Sequence, residues 1–422
     1  MHSSFDVAII GAGPAGCTAG ALLAAAGLTV CIVEKDAFPR FKIGESLLPA
    51  GNAILRRIGV WEQMEQAGFT KKYGGEFISS DGSSRVNNIF SDGLVKGMDY
   101  SYQVERCRFD QLLLDNARAR GCQVLQPARV EDARWQDGHW ALALSNRTAP
   151  PANLQARWLV DASGRQAFYG RSRRLPKDPL PYPKRLAVYG HFKGVRHREH
   201  SAYPGNIIVT RLRDGWFWSI PLDATTTSVG VVSQRRKDEW ISSRLTPASF
   251  FAREAQRSPF VTALLKDAEI IGDYRTTGDY AHSFGDYAFT RALLVGDAAG
   301  FIDPVFSSGV YLAMRSAEMA ADAIALAHRQ QRGLTPRECR HYTRTLKKNV
   351  RVMRDLIEVY YDNSRFPVFM APSNRFKLFS AVNSIVAGNT QPDFRLWWRF
   401  QLFLLICRSN RWLRLAPPQR LS

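Results

Sequence analysis

Three groups of residues have the types and spacing to do chemistry. The first is Gly296-Asp297-Ala298-Ala299-Gly300-Phe301-Ile302-Asp303-Pro304-Val305-Phe306-Ser307-Ser308-Gly309. The apolar run Arg291 to Val295 before it predicts a short buried strand, and the Ala-, Met- and Leu-rich run Val310 to Leu326 after it predicts a helix. A strand would enter a Gly/Asp turn at Gly296 and Asp297, pass Pro304, and reach a helix start at Ser308 and Gly309. Free N–H groups at such a start, with the helix dipole behind them, suit an anion such as a reduced flavin ring or a halide. An ordinary strand-to-helix turn has the same composition.

The second group is Gly11-Ala12-Gly13-Pro14-Ala15-Gly16, between the β-branched and apolar run Phe5 to Ile10 and an Ala-rich stretch ending at Ala26. A second strand, Leu28 to Val33, closes on Glu34. Strand, G-x-G-x-x-G, helix, strand and acid in that order predict a dinucleotide site. Gly11, Gly13 and Gly16, with Ala15 between them, let a pyrophosphate approach the helix start, and Glu34 accepts hydrogen bonds from an adenosine ribose. Glu34 without an Arg-rich sequel argues against a 2′-phosphate.

The third group is dispersed. The Pro- and Gly-containing loop Phe38 to Pro49 holds Arg40, which could serve a phosphate, and Gly44-Glu45-Ser46, which could approach a cofactor. Lys71 and Lys72 stand before the Gly74-Gly75 pair, whose backbone admits close approach of a ligand, although two solvated lysines fit the composition better. Trp216 and Trp218, at i and i+2 of Gly215-Trp216-Phe217-Trp218-Ser219-Ile220-Pro221-Leu222, share one strand face and could wall an aromatic pocket or pack a core.

Positioning these residues takes an α/β fold: a Rossmann-like dinucleotide domain, an antiparallel β-sheet lobe and a helical C-terminal region. The dinucleotide domain is expected to be discontinuous, over 1–72, 103–184 and 272–330. Its later parts include a helix from Gln111 to Arg120 and the apolar run Arg157 to Val160, which leads into Asp161-Ala162-Ser163-Gly164. Short alternating runs at Leu186 to Phe192, Asn206 to Arg211 and Thr227 to Val232 predict the sheet lobe, over 73–102 and 185–271. Gly278-Asp279-Tyr280 is expected to return the chain to the first domain. Ala50 to Ala67 predicts one helix, Pro336 to Asn363 one or two, and Asp393 to Leu415 another. In that last helix the apolar residues fall on all sides and the arginines group at its two ends, which is not a clean membrane-surface stripe. A lid over the substrate cavity is the first reading, ahead of carrier-protein docking or peripheral membrane contact.

A chain of 422 residues exceeds the usual single core. Its formal charge of +19 favours acidic partners, yet no nucleic-acid module is recognisable. Six scattered cysteines without metal-ligand spacing read as reduced thiols of a cytoplasmic protein, so no metal site is expected. The chain enters a strand almost at once, and its longest apolar run, Phe400 to Cys407, is too short to span a bilayer.

The sequence resembles the flavin-dependent halogenases, of the branch acting on phenols and pyrroles, within the superfamily of p-hydroxybenzoate-hydroxylase-type flavoproteins. The likeness covers roughly residues 5 to 365. Its superfamily markers are Gly11 to Gly16, Glu34, Arg106 and Gly296-Asp297, which the resemblance places against FAD. Its halogenase markers are Trp-x-Trp-x-Ile-Pro, complete at Trp216 to Pro221, Lys72 of a Gly-Phe-x-x-Lys-x-Gly pattern, and Asp303 to Gly309. The family's chemistry implies reduced FAD from a separate flavin reductase, a flavin hydroperoxide attacked by chloride or bromide, and hypohalous acid reaching the substrate through a tunnel. Lys72 would hold the halogen electrophile, Ser308 and Gly309 the halide, and Trp216 and Trp218 would discourage direct oxygenation. Pro304 and Gly309 join the expected cofactor contacts. Halogenases of free tryptophan have Glu where Phe306 stands, so the substrate here is expected to be an intrinsically activated phenol or pyrrole. Many relatives use substrates tethered to an acidic acyl carrier protein. The sequence is also similar to halogenase-like proteins of bacterial aryl-polyene pathways. The competing readings are an FAD monooxygenase or geranylgeranyl-reductase-like enzyme on the same fold, and a relative without turnover that serves as a scaffold.

Overall fold

Strand β1 (Ser3–Ile10) takes the centre of an eight-stranded sheet in the computed structural model, which describes residues 3–145, 152–180, 185–234, 245–278 and 281–422. Asp279 and Tyr280, where the return of the chain was expected, lie outside the described residues. Helix α1 (Pro14–Ala25) follows, then β2 (Val30–Val33), which pairs parallel with β1. Ala152–Asp161 pairs parallel with the other edge of β1, and Ala292–Leu294 parallel with it in turn. Val7, Ala8 and Ile9 are wholly buried, as strands covered on both faces must be. Gly20 lets α1 lie close to the sheet, since a Cβ there would sit 2.8 Å from Ile32 Cδ1.

The second sheet has seven strands, in the order Glu269–Gly278, Leu186–Lys193, Thr227–Ser233, Gly215–Pro221 (hereafter β3), Ile207–Arg211, Gly74–Ser79 and Arg85–Ile89. It differs from the expected antiparallel sheet at one junction: Ile207–Arg211 pairs parallel with Gly74–Ser79. Those two strands come from distant parts of the chain, so no hairpin constrains their direction. The strand Glu269–Gly278 also runs past the boundary expected at residue 271. Two helices, Pro247–Gln256 and Pro259–Leu264, cover the sheet's outer face with Phe250, Phe251 and Val261. Each begins with a hydroxyl N-cap, Thr246 or Ser258, followed by proline, a start signal that the strand-like texture of the region masks.

Helix α2 (Gly309–Arg329) packs on α1. Helix α3 (Pro336–Tyr361) is a single element, opened by a capping box in which Thr335 and Glu338 each accept from the other's backbone N–H. Asp393 caps the last helix, α4 (Phe394–Leu413), by accepting from the Leu396 N–H. The segment expected as one helix from Ala50 to Ala67 is instead Asn52–Ile58 and Trp61–Gln66, separated by Gly59 at φ +81°, a left-handed helix end. Among the described residues no helix is long and apolar enough to cross a membrane.

Candidate active site

The loop between β1 and α1 opens into a cavity of about 450 Å³. Gly11 adopts φ +100°, and a Cβ there would lie 2.5 Å from the Ala162 carbonyl oxygen. Gly16 faces Gly11 even more closely, at 1.9 Å from its carbonyl oxygen to the position of an added Cβ. The N–H groups of Ala15 and Gly16 belong to the first helical turn, where no intrahelical acceptor exists, and Ala15 lines the cavity with Gly11 and Gly13. Glu34, at the end of β2, fixes this loop: one oxygen accepts from Ala12 N–H at 2.8 Å, the other from Asp36 N–H at 2.9 Å. A carboxylate has further lone pairs, so Glu34, which lines the cavity, keeps capacity for a ligand hydroxyl.

One wall is basic and held rigidly. Arg106 donates two hydrogen bonds to buried Asp110, at 2.8 and 2.9 Å, and Arg40 donates a third at 2.9 Å. Gly44, at φ +103°, leaves the Arg106 guanidinium 3.0 Å from where a Cβ would stand. Glu45 meets His191 at 2.6 Å; burial alone would lower His191, but the Glu45 carboxylate outweighs it and raises its pKa. The second Glu45 oxygen and the Ser46 hydroxyl are buried without a hydrogen-bond partner among the described residues, and both residues line the cavity. Buried polar groups are normally satisfied. The unspent acceptors, the free helix-start N–H groups and the glycine-lined loop fit an FAD with its pyrophosphate on α1. Asp297, across the cavity, is pushed up to about 6 by burial, against the opposing pull of Arg165 and Arg106.

The far wall is aromatic. Trp216 and Trp218 of β3 both line the cavity with Ile220, their rings 5.7 Å apart. Gly230 opposite makes room for Trp218, since a Cβ there would stand 2.3 Å from the indole. Trp216 Nε1 donates to Tyr361 Oη at 2.7 Å, Tyr361 donates to Asp303 at 3.0 Å, and buried Asp303 pairs with Arg185. Pro304 and Gly309 also line this cavity. Gly309 and Asp297 border a second cavity of about 400 Å³ as well, and Ser308 and Gly296 line that one alone. Ser308 precedes α2, whose first turn carries no acidic residue.

Lys72 stands on a short strand, Thr70–Lys72, paired with Ser101–Gln103. It is only 2% exposed, and Nζ donates to the Leu47 carbonyl at 3.1 Å, one residue beyond Ser46 in the cavity wall. Its Nζ also lies over the face of Phe90, 5.3 Å from the ring centre. Burial lowers its pKa from 10.5 to about 7. Lys72 lines neither cavity. Phe306 is buried in an aromatic cluster with Phe77, Tyr360 and Phe369, at 5.5, 5.8 and 6.1 Å.

The FAD binding domain family matches residues 4–336. A 1H-pyrrole-2-carbonyl peptidyl-carrier-protein chlorinase of Pseudomonas fluorescens is 30% identical over 379 residues, covering 85% of this chain and 83% of the relative. The corresponding brominase of Pseudoalteromonas luteoviolacea is 33% identical over 326 residues, covering 77% and 78%. The chain belongs to the flavin-dependent halogenases. The solved flavin-dependent brominase Bmp2 superposes on this halogenase with a TM-score of 0.84 at 26% identity, covering 97% of this chain and 99% of that one. The myxobacterial chondrochloren halogenase CndH gives 0.77 at 29% identity, covering 98% and 91%. The halogenase fold thus gathers into one cavity Gly11, Gly13, Ala15, Glu34, Arg40, Gly44 to Ser46, Arg106, Asp297, Pro304, Gly309 and both tryptophans. Gly16 and Lys72 stand behind its walls, and Gly296 and Ser308 line the second cavity instead. Four residues in or braced against this cavity were not singled out from the sequence: Arg165, which lines it, and His191, Arg185 and Tyr361, which hold residues of its walls. Arg165 follows the noted Asp161-to-Gly164 run and could have been found there. The others act through partners far along the chain. Helix α4, expected as a lid, lines neither cavity and packs on other C-terminal helices instead.

Proposed function

We propose that this halogenase places chlorine or bromine on an electron-rich ring of the pyrrole or phenol type, presented on an acyl carrier protein, with reduced FAD supplied by a separate flavin reductase. Lys72 carries this reading. A lysine that is buried, with a pKa near 7, and bonded among the described residues to one main-chain carbonyl keeps in its ammonium form two N–H donors for the oxygen of an incoming hypohalous acid. Its tie to Leu47 couples it to the strip that ends at the cofactor wall. FAD, when bound, supplies the oxygen chemistry that converts halide to an electrophile. The chain orients that cofactor through Glu34, Arg40, Arg106 and the α1 start. Gly309 and Ser308 offer the halide the uncompensated N-terminus of α2. Trp216 and Trp218 fill the space beside the cofactor with apolar surface and keep bulky rings away from it. Phe306 and its aromatic neighbours supply no base, which supports a ring activated by its own heteroatom. Carrier presentation is supported by the +19 charge and by the two carrier-protein halogenases among the relatives.

Incubation with FAD, a flavin reductase, oxygen, bromide and pyrrole-2-carbonyl loaded on a carrier protein should yield a product heavier by bromine for hydrogen in mass spectrometry. Lys72→Ala should lower product by about a hundredfold, the scale for removing one preorganised donor, while flavin oxidation continues. Normal halogenation by that variant would remove Lys72 from the mechanism. Turnover of the free acid and none of the carrier-bound one would reject the carrier.

A further inference from the structure

Helix α4 is apolar on two opposite sides, and the fold uses only one of them. Leu396, Phe400, Phe403, Leu404 and Cys407 form the buried side, packed on the helices before it. Phe394 and Trp412 are each 75% exposed and Leu405 is 57% exposed. These three stand eleven and seven residues apart in turn, roughly three turns and two, so they share one outward line along about 30 Å of helix. Arg395 stands on one side of that line and Arg408 and Arg411 on the other, and no acidic residue occurs between 394 and 413. A turn tied to the helix carries a further exposed ring: Phe376 is 59% exposed between Arg375 and Lys377, and its carbonyl accepts from Arg399 Nε at 3.0 Å. The residues that looked scattered in the sequence thus separate into a covered side and a bare, aromatic and basic one. A helix apolar on all sides needs cover on all sides.

A second copy of this chain is a poor cover, because arginine would meet arginine with no acid between them. A carrier protein seated here would be away from the chemistry, since α4 lines neither cavity. Tryptophan and phenylalanine towards both ends, leucine midway and arginines on the flanks match a headgroup layer, where aromatic rings sit at the interface and guanidinium groups reach phosphates. We propose that α4 and the Phe376 turn form a docking face for an anionic lipid surface, on which the helix lies flat without crossing.

The test uses the full chain loaded with FAD, floated with vesicles of phosphatidylcholine alone or mixed equally with phosphatidylglycerol. Recovery is expected with the anionic vesicles only, and should fall as salt is raised. Leu405→Ser combined with Trp412→Ser should abolish it, with the FAD spectrum unchanged as the folding control. Arg408→Gln and Arg411→Gln should each weaken partition about fivefold. The proposal is overturned if anionic vesicles recover no protein at low salt, or if the double variant binds as well as the parent. It is also overturned if sedimentation shows a dimer that the double variant dissolves, or if an acidic carrier protein protects α4 from hydrogen exchange. None of these readouts involves halogenation, so this proposal and the catalytic one fail separately.

Discussion

At the scale of single residues, Lys72 makes a contribution of definite sign to the pH behaviour. Its folded pKa of about 7 lies below the 10.5 of an unburied lysine, so between those values the unfolded chain binds more protons than the folded one. The contribution of Lys72 to stability should therefore rise with pH across that window, and its penalty for burying the charge is complete below pH about 7. Lys72→Met removes the penalty, so urea unfolding should show it gaining on the parent by a few kcal/mol more at about pH 6 than at about pH 10. Catalysis should run the other way. If the ammonium form presents the electrophile, product formed per flavin oxidised falls as pH rises through about 7, and a flat profile from about pH 6 to 9 would reject that role.

At the scale of elements, close backbone approaches decide the outcome. Gly16→Ala would drive a methyl group into the Gly11 carbonyl, so the β1–α1 loop must open. FAD affinity should drop by tenfold or more in a fluorescence titration, on the order of the few kcal/mol that overpacking costs. Gly230→Ala would press on the Trp218 indole from the neighbouring strand and should destabilise by about 1–3 kcal/mol in chemical denaturation. Much of this was legible in the sequence where the cause is local. The first-loop glycines, Glu34, the strand face shared by Trp216 and Trp218, and the turn into α2 follow from period and turn chemistry over a few residues. What was hidden depends on distant partners. Glu45 meets His191 across 146 positions, and Arg185 meets Asp303 across 118. The parallel pairing of Gly74–Ser79 and the two-sided environment of α4 are likewise set by what the chain brings alongside. The break at Gly59 was local and readable, since glycine is the usual left-handed helix end.

At the scale of the whole molecule, four side chains join its parts: Trp216 from the second sheet, Tyr361 from the end of α3, Asp303 from the loop before α2, and Arg185 at the start of Leu186–Lys193. Asp303→Asn leaves the Arg185 guanidinium facing a neutral amide in the interior. It should lower stability by about 3–5 kcal/mol in urea unfolding. Tyr361→Phe removes hydrogen bonds without removing charge and should lose only about 1–3 kcal/mol. This linkage also bears on how the protein is assembled. The Trp216 indole that lines the main cavity is anchored by a hydroxyl 145 residues downstream, so this wall is unfinished until α3 has docked. Contacts so far apart form slowly. In refolding from urea, quenching of flavin emission should therefore lag behind recovery of helical ellipticity, and simultaneous recovery would show that the cofactor is captured before its aromatic wall is braced.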